Sequence, residues 1–209
     1  MRYFTKVSNA GLGGRAVAAG DKRELLLDAA EEVFRTLGYA GTTMAELAKA
    51  AGVTRPTVYA YFSSKDEVFR ALADRVRREF LSLQEKPDAE SPSDMVRQIV
   101  ADYLAAYVRH QGLLTVLAHQ ALSDGEFRKV REEVFARVER RNTRFLERLA
   151  VQGRARPVVP PVMISAAVTG LVARFAELAA AEPDELPSLG DEVADMYLTL
   201  AGMTEPPNG

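Results

Sequence analysis

Two capping boxes, Thr43 with Glu46 and Ser64 with Glu67, bracket a short stretch of chain that also holds a turn glycine, Gly52. In each box a hydroxyl accepts from a free first-turn amide and the carboxylate three residues on reaches back, so each marks a helix start. Thr54 supplies a further start, with Pro56 in the first turn, where a missing N–H costs nothing. The stretch therefore predicts helices over 44–51 and 54–61 and a longer one from 65. The tight turn AGVT joins the first two: Gly52 permits it, Val53 plugs it into a core, and the second helix projects outward. That arrangement is a helix-turn-helix.

Helix signals continue on both sides, and strand signals are scarce. A first helix starts near Asp21 and puts Leu26, Ala30, Val33, Phe34 and Leu37 on one face before Gly38 stops it. The helix from 65 has the apolar stripe Phe69, Leu72, Val76, Phe80 and Leu83, and KPDAESPSD after it reads as a loop. Further helices are expected over 92–110, 112–122, from Ser123 with Glu126 to about 151, then 161–181 and 189–203, with RARPVVPP as a break. The expected fold is all-α, with a three-helix helix-turn-helix unit at 21–68 and a larger helical body at 69–209. Residues 1–20, with four Gly, three basic and no acidic residues, read as a flexible arm. Phe34, Leu47, Val53, Val58 and Phe62 fall on buried sides and are assigned to the core.

Charge divides with these regions. The 209 residues carry 27 Lys/Arg and 29 Asp/Glu, a net charge of −2. Residues 1–78 hold 13 basic and 9 acidic side chains, net +4, which leaves 14 and 20, net −6, for the rest. This suits a polyanion-facing module joined to a body with another task. Cys is absent, which excludes disulfides, thiolate catalysis, Fe–S ligation and zinc fingers. No uninterrupted apolar run reaches membrane-spanning length and the first twenty residues lack a signal-peptide core, so a cytoplasmic, unanchored protein is expected.

The reading GYAGTTMAELAKAAGVTRPTVYAYFSSKDEVF resembles the DNA-binding signature of the TetR family of bacterial transcriptional regulators. The matching residues are Ala29, Ala30, Phe34, Gly38, Tyr39, Thr42, Thr43, Leu47, Ala48, Ala51, Gly52, Val53, Thr54, Thr57, Tyr59, Tyr61, Phe62, Lys65 and Val68. Position 56 is Pro where many members have Gly, a change that bears on base contacts. The resemblance implies that Thr43, Thr54, Arg55, Pro56, Thr57, Tyr59, Tyr61 and Lys65 face double-stranded operator DNA. Arg55 and Thr57 sit at the helix start that meets base edges, where Arg pairs bidentately with guanine. Tyr59, Tyr61 and Lys65 carry donors for phosphates, and Thr43 brings a hydroxyl and a helix start to the backbone. Taken alone, the tyrosines read better as a core pair and Lys65 as a solvated charge, and it is the surrounding signature that reverses this for Arg55, Thr57, Tyr59 and Lys65, and less so for Tyr61. Arg2, Lys6 and Arg15 of the arm could enter a minor groove, or form a plain disordered tail.

For the body, the resemblance implies a domain that binds a small molecule and dimerises through its last two helices. Ala166, Gly170 and Ala173 form a small-residue side, and Val193, Met196, Tyr197 and Leu200 lie on the apolar stripe of the final helix. Together they are the expected seam of a homodimer, unless both stripes pack within one subunit. Tyr103, Tyr107, His119, Phe135 and Phe145 are the candidates for an apolar ligand pocket, with ordinary core packing as the alternative. Arg137, Arg140, Arg141, Arg144 and Arg148 read as a solvated face interleaved with Glu133, Glu139 and Glu147. No catalytic residue, cofactor or metal site is expected. Gly11, Gly13 and Gly14 follow no strand, His110 and His119 lack i, i+4 spacing, and no nucleophile elbow occurs. The expected function is a transcriptional repressor released from a pseudo-palindromic operator by a small, largely apolar ligand. A ligand-independent architectural DNA-binding protein and an enzyme using the helical pocket are the rivals.

Overall fold

The structure, a computed structural model, describes residues 19–85 and 91–203. Arg2, Lys6 and Arg15 of the arm lie outside the described residues, as does the centre of the loop expected after Glu85. Among the described residues the elements are helical: α1 (Ala19–Gly41), α2 (Met44–Ala50), α3 (Arg55–Tyr59), α4 (Lys65–Leu83), α5 (Pro92–Arg109), α6 (Gln111–Ser123), α7 (Gly125–Val151), α8 (Pro161–Ala181) and α9 (Leu186–Ala201). The all-α expectation holds.

Local signals set most boundaries. Ser64 Oγ accepts from the Glu67 amide at 3.2 Å, and the Glu67 carboxylate returns to the Ser63 amide at 2.7 Å. Thr43 accepts from the Glu46 amide at 3.2 Å. Helical backbone breaks at Gly38 (φ 67), where the sequence places the stop. Ser91 caps α5 from the residue before Pro92. Other boundaries differ. The cap of α7 is Asp124, whose carboxylate accepts from the Glu126 amide at 2.8 Å, so Ser123 closes α6 instead of opening α7. Helix α9 begins at Leu186, after a single 3-10 turn over Pro183–Glu185. It stops at Ala201 because Gly202 (φ 60) reverses the chain, with the Met203 amide bonded back to Leu198 O at 2.9 Å. Only glycine fits there, since a Cβ would sit 2.0 Å from the carbonyl oxygen of Arg156.

One continuous core runs from Leu26 and Phe34 through Phe62, Phe69 and Phe80 to Tyr197 and Ala201. The division expected between 68 and 69 therefore falls inside α4, which packs on α1, α5 and α7. Helix α1 also packs on α6, and α5 is sandwiched against α8 and α9. Two side-chain clusters tie the ends of this assembly. Phe34, Tyr39, Phe69 and Phe127 form an aromatic knot joining α1, α4 and α7. Arg75 of α4 pairs with Asp28 and Glu31 of α1.

Helix α8 is long and apolar enough, by length and composition only, to cross a bilayer. Its apolarity serves two sides. Ile164, Val168, Val172, Ala176 and Ala179 are buried in the protomer, while Val162 and Met163 are 59% and 60% exposed.

Candidate nucleic-acid interface and body cavity

The turn between α2 and α3 is fixed by backbone bonds. Gly52 (φ 66) follows the last helical turn, its amide bonds Lys49 O at 3.2 Å, and the Val53 amide bonds Ala48 O at 3.0 Å. This paired motif needs a left-handed residue at position 52, and it tucks Val53 against the core. Val58 faces inward with 1% exposure, so Arg55, Pro56 and Tyr59 face outward. Among the described residues no carboxylate pairs with Arg55. An exposed, unpaired guanidinium at the start of an outward helix is available to base edges or phosphates.

The neighbouring residues divide by role. Thr54 takes the extended cap conformation, yet its hydroxyl bonds the Thr57 hydroxyl at 2.9 Å instead of an amide. Tyr59 is 55% exposed. Tyr61 lies beyond the end of α3, which is shorter than expected, and packs half-buried against the core. Lys65 donates to the carbonyls of Tyr39 at 3.0 Å and Thr42 at 3.3 Å, with its ammonium 4.4 Å from the Tyr39 ring centre. Two of its three donors thus tie the start of α4 to the end of α1 and to the link before α2, which leaves the third for another acceptor.

Behind this surface His110, at the junction of α5 and α6, bridges two carboxylates: Nδ1 to Glu31 at 2.6 Å and Nε2 to Glu79 at 2.8 Å. Burial opposes its charge, but the two carboxylates outweigh burial and raise its pKa above the ordinary histidine value. Burial likewise works against ionisation of Glu31 and Glu79, and their cationic partners still hold both below the usual carboxylate range. The sequence offers no spacing signal for this cluster, because Glu31, Glu79 and His110 lie far apart in the chain.

The body holds a cavity of about 330 Å³ between the end of α4, the first half of α5, the second half of α7, and α9. Met95, Val96, Ile99, Val100 and Phe145 line it with Gln84, Asn142 and Tyr197. It shares Gln84, Ile99, Val100, Asn142 and Tyr197 with a narrower inner chamber of about 40 Å³, where Tyr103 and Ser165 also lie. Tyr197 donates to Asn142 at 2.6 Å. Of the five expected ligand residues, Phe145 and Tyr103 reach this space. Tyr107 instead stacks on Phe80 and Phe135 beside it, and His119 is exposed on α6. The periodicity that put them on one face could not say which neighbour each would meet. No local sequence pattern marks Gln84 and Asn142 as lining residues.

Of the expected dimer residues, Ala166, Gly170 and Met196 face outward and Ala173 and Leu200 are half-buried. Val193 and Tyr197 are buried in the protomer's own core, where α9 packs on α5 and α8, and are not open to a second subunit. A Cβ on Gly170 would meet nothing within 4 Å. Among the described residues no group of three His, Asp or Glu could hold a metal ion.

The profile of bacterial regulatory proteins of the tetR family matches residues 26–72. That of the tetracyclin repressor-like C-terminal domain matches residues 91–199, more than half of the chain. The chain belongs to the TetR family. Among curated TetR-like relatives, the transcriptional repressor NicS of Pseudomonas putida is 30% identical over 115 residues, 54% of each chain. The transcriptional regulator EthR of Mycobacterium tuberculosis is 42% identical over 89 residues, 41% of this chain and 40% of that one. The chain spans about half the length of the curated relatives it matches. A solved TetR-like transcriptional regulator from Rhodococcus sp. RHA1 superposes with a TM-score of 0.70 at 25% identity, covering 89% of this chain and 99% of that one. In this TetR-family chain, α2 and α3 are the helix-turn-helix and α8 and α9 close the body.

Proposed function

We propose that this chain is a DNA-binding transcriptional repressor of the cytoplasm, and not an enzyme. In this reading it works as a homodimer on a two-fold symmetric operator and releases it when a small ligand fills the body cavity. The outward, unpaired Arg55 at the start of α3, beside Thr57 and Tyr59, carries the DNA-binding part. The membership of the TetR family, and the repressor named in NicS, support the regulatory part. The cavity favours ligand control over a purely architectural role, since an architectural protein has no use for one. Thr43, Thr54, Pro56, Tyr61 and Lys65 join the DNA-facing set as positioning contacts.

Selection from a random duplex pool tests the proposal. An enriched site with two-fold symmetry is expected, with log affinity falling steeply against log salt as bound phosphates displace counterions. A pool that stays random would overturn it.

The homodimer reading places Ala166, Gly170, Ala173, Met196 and Leu200 in the seam, together with the exposed Val162 and Met163. Gly170→Leu is expected to convert the dimer to monomer in sedimentation while leaving the protomer's melting cooperative. The protomer itself has open space at that position, so the added side chain meets only the partner. A persistent dimer would put the interface elsewhere.

A further inference from the structure

Two residues that line the inner chamber carry a buried polar atom with no hydrogen-bond partner among the described residues, Gln84 Oε1 and Tyr103 Oη. Tyr103 is only 7% exposed. The Gln84 amide is oriented by its own donor, since Nε2 bonds Val138 O at 3.2 Å and leaves Oε1 as an unmet acceptor. Native interiors rarely leave such groups unpaired, because each forfeits its bond to water without replacement. A hydroxyl is complementary to both, since it can accept from a tyrosine and donate to an amide oxygen.

The opposite end of the cavity has different chemistry. Arg141, Arg148 and Glu85 line both the cavity and a more open concavity of about 650 Å³ whose other residues are Arg137, Arg140, Arg144 and Leu81. Arg137, Arg141, Arg144 and Arg148 follow i, i+4, i+7, i+11 spacing, one face of α7. Five guanidiniums therefore meet one carboxylate, and that one is already bonded to Arg141 at 3.1 Å. Among the described residues Arg137, Arg140, Arg144 and Arg148 have no ion-pair partner. A cluster of like charges with low-dielectric walls behind it draws an anion and repels a cation. Glu139 lines the inner chamber, so an acid group is disfavoured there and is directed to the mouth.

We propose that the ligand of this cavity is an amphipathic hydroxy acid. Its carboxylate sits at Arg141 and Arg148, its apolar body lies along Ile99, Val100 and Phe145, and its hydroxyl reaches Tyr103 and Gln84. The assignment rests on the cavity being the effector site, and it refines the largely apolar ligand expected from sequence by adding a polar group at each end.

Titration calorimetry on the full chain with three probes of equal length tests it: ω-hydroxydecanoate, decanoate and the terminal decanediol. The hydroxy acid is expected to bind about tenfold tighter than the diol, for its charge-assisted bonds at the mouth. It should bind about fivefold tighter than decanoate, for the inner hydroxyl. Arg148→Gln, an exposed position, should shrink the first ratio, and Arg141→Gln/Arg148→Gln should abolish it. Tyr103→Phe should shrink only the second ratio, since the bond to Gln84 remains. Equal binding of diol and hydroxy acid, a preference for decanoate, or no binding of any probe would overturn the assignment. Failure of the operator selection with these ratios intact would remove the repressor reading and keep the ligand class. A selected operator with no binding of the probes would do the reverse.

Discussion

Arg55→Ala is expected to weaken binding to the selected operator by about 1–3 kcal/mol per recognition helix, roughly ten- to hundredfold, because a bidentate guanidinium on guanine discriminates by that amount. Binding to random duplex should fall much less, since one phosphate-facing charge among many is lost there. The side chain has no ion pair to break among the described residues and stands outside the core, so the protein's melting temperature should not move. Competition binding on the two duplexes, at one salt concentration, gives the answer. If both affinities drop by the same factor, Arg55 is a phosphate contact and another residue of α3 reads the bases.

The second large effect is on stability. Removing the ring in His110→Ala leaves Glu31 and Glu79 partly buried and facing each other, which should cost about 2–3 kcal/mol of unfolding free energy. The effect must depend on pH. Folding raises the histidine pKa above its ordinary 6.5, so the ring's contribution is complete below that pH and is lost as pH rises through the higher folded value. Folding lowers the two glutamate pKa values below their ordinary 4.5, so their contribution is present above it and lost as pH falls through the folded values. The wild type should therefore exceed the variant most between those limits, with the gap closing on the alkaline side. Urea unfolding of both proteins at about pH 5.5 and about pH 9 measures it. A gap of equal size at both would mean that the folded ring is neutral.

The same bridge joins α1, which supports the helix-turn-helix, to α4 and to the α5–α6 junction of the body. In the proposed function this is one rigid tie through which an occupied cavity could bias the reading heads, together with the Phe34–Tyr39–Phe69–Phe127 knot. By linkage, any ligand that weakens operator binding by a given factor must itself bind the operator complex more weakly by that factor.

The amino-acid sequence by itself determined the helices, their caps and the helix-turn-helix. A Thr43 hydroxyl meets an amide three residues away, a glycine at 52 turns the chain within one residue, and an apolar stripe repeats every 3.6 residues, so these features are decided by near neighbours. Even so, short-range competition moved some ends: Asp124 displaced Ser123 as a cap, and Gly202 cut α9 short. The inward and outward faces within the body were decided only by tertiary structure. Val193 and Tyr197 share the apolar stripe of α9 with Met196, but packing against α5 and α8 takes the first two into the protomer and leaves the third exposed. Tyr103 and Tyr107 lie one turn apart, yet one is aimed into the inner chamber and the other stacks on Phe80. Gln84, Asn142 and the arginines of α7 become a site only because distant segments meet there. The pKa of His110 is raised only because Glu31 and Glu79 converge on it. Periodicity states that a face is buried; which groups it is buried against, and therefore which polar atoms are met and which are left for a ligand, depends on contacts between residues far apart in the chain.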